Sequence, residues 1–110
     1  VRDGCTDLMT LEKYQENWQI NAFEFKLTDI KKVLLQAEGN LPYCNKSWIV
    51  IPEEKKDVIL NRYMNYLNEK KYIGVIGVQN GGRYSIIFQP KFKHDMTFSQ
   101  KILNMCMAEV

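Results

Sequence analysis

Nucleophilic catalysis needs a cysteine or serine beside a base that is itself held in place. The sequence offers one histidine, His94, followed by Asp95 in a lysine-rich stretch, and three cysteines, Cys5, Cys44 and Cys106. A histidine in such a stretch reads as a solvated loop residue rather than half of a Cys-His pair, so no catalytic residue is expected and the chain is read as no enzyme. A metal site would draw three or four converging Cys, His or carboxylate ligands. The soft ligands here are too few and too far apart, so neither metal nor cofactor is expected. Gly74, Gly77, Gly81 and Gly82 lie inside and at the turn of a hairpin pattern, not between a strand and a helix N-terminus, and make no phosphate cradle. Gly74 and Gly77 predict close backbone approach or a bulge.

Recognition chemistry is better represented. Arg83, Lys91 and Lys93 flank Tyr84 along one strand pattern, a basic and aromatic group suited to a phosphate or an acidic peptide. The doublets Lys31-Lys32, Lys55-Lys56 and Lys70-Lys71 read as solvated helix faces and ends. A formal charge of +2 falls well short of the cationic surface that phosphate neutralisation demands, so nucleic acid is possible but not favoured as a partner.

These residues need a scaffold. The 110 residues, 45% hydrophobic and 25% charged, suit one folded domain. No run approaches the ~20 apolar residues of a membrane span, and the first residues lack the apolar core of a signal peptide. The chain opens on Val1, as a piece of a longer protein would, and its odd cysteine count favours a reducing compartment.

Leu11, Tyr14 and Trp18 recur at i, i+3 and i+7, which predicts a helix from near Thr10. Gln19 to Phe25 predicts a strand. Thr28 and Asp29 open a second helix along Ile30, Val33, Leu34 and Ala37, ending before Gly39. Trp48 to Ile51 is apolar on both faces, as in a strand buried inside a sheet. Pro52, Glu53 and Glu54 start a third helix that runs to Lys70-Lys71. Ile73 to Val78 and Tyr84 to Gln89, joined through Asn80-Gly81, predict a hairpin. Thr97-Phe98-Ser99-Gln100 matches a capping box ahead of Ile102, Leu103 and Met105, which predicts a last helix.

From Phe23 onward this order resembles the SPOC domain, the Spen paralogue and orthologue C-terminal module of transcriptional regulators. The residues that carry the resemblance are Asp29-Ile30, Trp48 to Pro52, Tyr66-Leu67, Lys70, Gly74 with Val75-Ile76, then Tyr84, Phe88 and Pro90, and finally Phe98-Ser99. It implies an α+β fold, a mixed sheet or partial barrel with a hairpin and about four flanking helices, with residues 1–22 as a helical N-terminal extension. It implies a nuclear, non-catalytic protein-protein interaction module of a transcriptional or epigenetic repressor scaffold, similar to the modules in the scaffold subunit of the HUSH silencing complex. Tyr84, Arg83, Lys91, Lys93 and Lys70 become the partner-binding residues. The family's phosphate-reading arginine positions fall near Ala22 and Glu24, so the expected partner is an unmodified protein or peptide segment. A winged-helix nucleic-acid binder is the alternative, with Glu53 to Lys71 as recognition helix and the Asn80-Gly81 hairpin as wing.

Overall fold

The computed structural model describes residues 6–15 and 17–94. It contains a five-stranded mixed sheet in sequential order. Strands β1 (Leu8–Tyr14) and β2 (Asn17–Phe25) form an antiparallel hairpin. Helix α1 (Ile30–Asn40) then crosses to β3 (Lys46–Pro52), which pairs parallel to β2. A second helical segment crosses to β4 (Ile73–Val78), parallel to β3, and β5 (Tyr84–Phe88) closes the sheet antiparallel to β4. The second segment is a 3-10 turn at Glu53–Lys55, α2 (Lys56–Val58), a π-helical stretch at Ile59–Tyr63 and α3 (Met64–Lys70).

The helix expected from Thr10 is absent: its residues form the β1–β2 hairpin. Gln15 turns with φ 56°, and the apolar residues that mimicked a helical stripe are split between two strands, with Leu11 opposite Ile20 and Trp18 opposite Lys13. The physical reason is tertiary. A seven-residue spacing of three aromatic or aliphatic side chains fits one helix face, but it also fits two short strands folded back on each other. The described chain thus has two helical segments rather than four, and the sheet is not closed into a barrel. The expected last helix lies outside the described residues.

Both helical segments pack on one face of the sheet. Ile30, Val33, Leu34 and Ala37 of α1 join Ile59 and Leu67 over Ile49, Ile51, Ile73 and Val75. Each of the Ile, Val and Leu side chains, taken fully from water, contributes about 1.5–3 kcal/mol. Asp29 caps α1, its Oδ1 accepting from Lys32 N at 3.0 Å, which satisfies one orphan donor of the first turn. Alternation puts Phe23, Trp48, Val50, Ile76 and Ile86 on the other face. The hairpin at Asn80-Gly81 is present, with Gln79 N donating to Arg83 O and Gly81 and Gly82 at positive φ. Gly74 shows the expected close approach: a Cβ there would lie 2.6 Å from Trp48 Cε3 and 2.7 Å from Pro90 Cδ. A bulge interrupts the β4–β5 register at Val75/Ile76.

Candidate functional site

The start of β1 and the end of β2 are neighbours, because Leu8 pairs with Phe23 in the antiparallel hairpin. That register sets Asp7 beside Glu24. Glu24 faces the helix side and is only 3% exposed. Its Oε2 accepts from Asn40 Nδ2 at 2.8 Å, and Asn40 Oδ1 in turn accepts from Thr6 Oγ1 at 2.8 Å. Asn40, the last residue of α1, is itself buried, so the helix end locks the carboxylate in one orientation. Asp7 Oδ2 accepts from Phe25 N at 3.0 Å.

Two carboxylates are therefore fixed against each other at the edge of the sheet. Burial pushes the Glu24 carboxyl above its ordinary range; the Asn40 amide opposes that shift, and the negative charge of Asp7 adds to it. Lys26 follows two residues on, its backbone N donating to Val50 O at 3.1 Å. Its side chain is half-buried. Two carboxylates held this close are tolerated with a shared proton or with a cation between them. Asp7 and Glu24, with Asn40 behind Glu24, are two carboxylates held in a fixed framework among the described residues.

Sequence reasoning passed over Asp7 and met Glu24 only as a carboxylate unfavourable to phosphate. A signal was there: Glu24 interrupts the apolar residues Ala22, Phe23 and Phe25 near the end of a strand pattern, on the face it shares with Ala22.

The residues expected to bind a partner are spread across the molecule. Tyr84, 71% exposed, and the exposed Arg83 sit at the hairpin end of β5. Lys91 and Lys93 lie at the opposite end of the sheet, where Lys91 N donates to Lys71 O at 2.8 Å and Lys93 N to Asn45 O at 3.0 Å. Lys70 stands on the helix layer, 3.2 Å from Glu38 and over the ring of Tyr66. Tyr84 and Arg83 are thus together at one end of the sheet, and Lys91 and Lys93 are together at the other, where Lys91 bonds the residue that follows Lys70. His94 packs edge-on against Phe92. Cys44 is buried; its thiol donates to Asn40 O at 3.2 Å, and burial pushes it up to about 11, so it is a packed thiol and not a poised nucleophile. Cys106 lies outside the described residues. Among the described residues no three His, Cys, Asp or Glu side chains converge on one point, and no helix is long and apolar enough to cross a membrane.

Comparison with protein-family models, with curated proteins and with solved structures finds no match to this chain.

Proposed function

We propose that Asp7 and Glu24 bind a divalent cation and that, with Lys26, they act on a phosphodiester, as in a cation-dependent hydrolase of nucleic acid. The observation that carries this reading is the fixed pair itself: a buried Glu24, oriented by Asn40, lying against Asp7. Magnesium is held in many sites by one or two carboxylates, with waters and substrate phosphate oxygens completing its shell, so two carboxylates suffice. Lys26 supplies a point charge for a phosphate oxygen. In the reaction a water oxygen bonds to phosphorus, the phosphorus–oxygen ester bond breaks, and the water's proton ends on the departing alkoxide.

The test has two readouts. Millimolar Mg²⁺ or Mn²⁺ raises the melting temperature of the native chain, and Asp7→Asn removes that rise. Cleavage of plasmid or single-stranded DNA with Mn²⁺ is lost in Lys26→Ala, which keeps the cation-dependent rise in melting temperature. A chain whose melting is indifferent to divalent cations, and which cuts no nucleic acid, would rule the reading out and leave Asp7 and Glu24 as a proton-sharing structural pair.

A second reading keeps the non-catalytic, SPOC-like interaction module of a nuclear scaffold. One observation favours it. Strand β5 is an edge strand with exposed Tyr84 and Ile86, and a free edge accepts an added strand from a partner segment. Capture of a nuclear protein that survives Asp7→Asn but is lost with Tyr84→Ala supports this reading over the first; capture indifferent to Tyr84→Ala and Lys91→Glu removes it.

A further inference from the structure

Trp18 stands in water, where a strand tryptophan is ordinarily well covered. It lies in β2 near the hairpin turn, 53% exposed, and pairs directly with Lys13 of β1. Lys13 Nζ is 5.5 Å from the ring centroid, a cation against a π face. Glu12, the acid of β1, turns to the other face of the sheet, where its Oε1 accepts from Asn21 Nδ2 at 2.9 Å. The Trp18 side of the hairpin therefore offers an aromatic surface beside a positive charge.

That side is also the side of the buried carboxylate. Alternation along β2 puts Trp18, Ile20, Ala22 and Glu24 on one face. Trp18 and Glu24 are roughly 20 Å apart along the strand, at ~3.3 Å per residue. Between them Cys44 covers Ile20 and Ala22, and Tyr43, the residue before it, is 42% exposed. A strand of nucleic acid laid from Trp18 towards Glu24 passes the turn that carries Tyr43.

Resting on the reading of Asp7 and Glu24 as a phosphodiester-cleaving pair, we propose that Trp18 and Lys13 form a subsite for an unpaired base of the substrate. The base stacks on the indole, and Lys13 meets the adjoining phosphate. A base inside a duplex has both faces covered by its neighbours, so this subsite selects single strands or unpaired stretches. Stacking also answers the small formal charge of +2: every base has a π face, and its affinity for an exposed ring does not depend on a strongly cationic surface. Placement on one strand face with Glu24 favours nucleic acid over a protein segment as the occupant.

Binding is measured without divalent cations, so that nothing is cut, by the anisotropy of a labelled oligothymidine and of a blunt duplex of the same length. The single strand binds more tightly. Trp18→Ala weakens its binding about 5–150-fold, the range of one base–aromatic stack, and Trp18→Phe recovers most of the loss. Lys13→Gln lowers the salt slope of single-strand binding by about 0.7, one phosphate contact. On the unaltered chain, oligothymidine quenches part of the tryptophan emission. Equal affinity for the two nucleic acids, or Trp18→Ala binding as the native chain does, overturns the proposal. Absence of any nucleic-acid binding overturns it as well and leaves Trp18 to a protein partner. A native chain that binds through Trp18 but cuts nothing with Mn²⁺ upholds the subsite and removes the hydrolytic reading. One that cuts, with single-strand binding unaltered by Trp18→Ala, removes the subsite alone.

Discussion

Glu24 shows how one residue's meaning depends on what is placed beside it. As a strand carboxylate it is unremarkable, but buried beside Asp7 and held by Asn40 it carries like-charge repulsion that the fold sustains. Replacing it tests that directly. Glu24→Gln keeps the Asn40 contact through its amide oxygen and removes the repulsion, so the cation-free protein melts higher than the native chain at neutral pH, while the response to Mg²⁺ disappears. A lower melting temperature for Glu24→Gln would mean that the charge is structurally required. Gly74 makes the opposite point, because space rather than charge decides there. A Cβ at that position meets the Trp48 ring and Pro90, neither of which is the loose end of a flexible chain, so Gly74→Ala costs about 1–3 kcal/mol by overpacking, measured by denaturant unfolding. Gly77 is more forgiving, since much of its crowding is the Glu53 carboxylate, which can swing aside.

At the level of elements, α1 is fastened at both ends and once along its length. Losing the Asp29 cap in Asp29→Ala costs about 1 kcal/mol, read from the same unfolding curves. Along the helix, Tyr66 donates to Glu38 Oε1 at 2.7 Å and Lys70 Nζ sits 3.2 Å from the same oxygen, tying α1 to α3. The Tyr66 hydroxyl and then Lys70 hold the Glu38 carboxyl below its ordinary range. A carboxyl with a lowered folded pKa binds protons more readily in the unfolded chain. Its contribution is therefore present at neutral pH and fades as pH falls through the acidic range. The difference in stability between the native chain and Glu38→Gln narrows between neutral pH and about pH 3; a difference independent of pH would dissolve the link. Because the pair is partly exposed, its contribution is small and shrinks with salt. The same element scale explains the misread N-terminus. Spacing legible as a helix from Leu11 to Trp18 became a hairpin because β1 gains a full antiparallel ladder against β2, a gain that no local window contains.

At the scale of the whole molecule, a cation at Asp7 and Glu24 would act on everything that unfolds with them. Ligand that binds the folded chain stabilises it by about 2.7 kcal/mol at a hundredfold excess over Kd, so a Mg²⁺ titration followed by global unfolding measures the site without any substrate. A second global consequence concerns Leu67 and Ile49, which are fully buried where the helical layer meets the sheet. Leu67→Ala or Ile49→Ala costs about 2–5 kcal/mol, a large fraction of a small domain's stability.

The sequence by itself determined the parts whose causes are local. Asp29 opening α1, Pro52-Glu53-Glu54 opening the second helical segment, the doubly apolar β3 and the Asn80-Gly81 turn all follow from backbone preference, capping and periodicity within a few residues. Tertiary structure decided what depends on residues distant in the chain: the pairing of β1 with β2, the parallel registers that bring both helical segments to one face, and the meeting of Asp7, Glu24 and Asn40. The parallel registers and the meeting with Asn40 each need a long loop closed before their contacts form, and the β1–β2 ladder, though its turn is short, joins residues as distant as Leu8 and Phe23; such contacts leave no period in the sequence for a local reading to find.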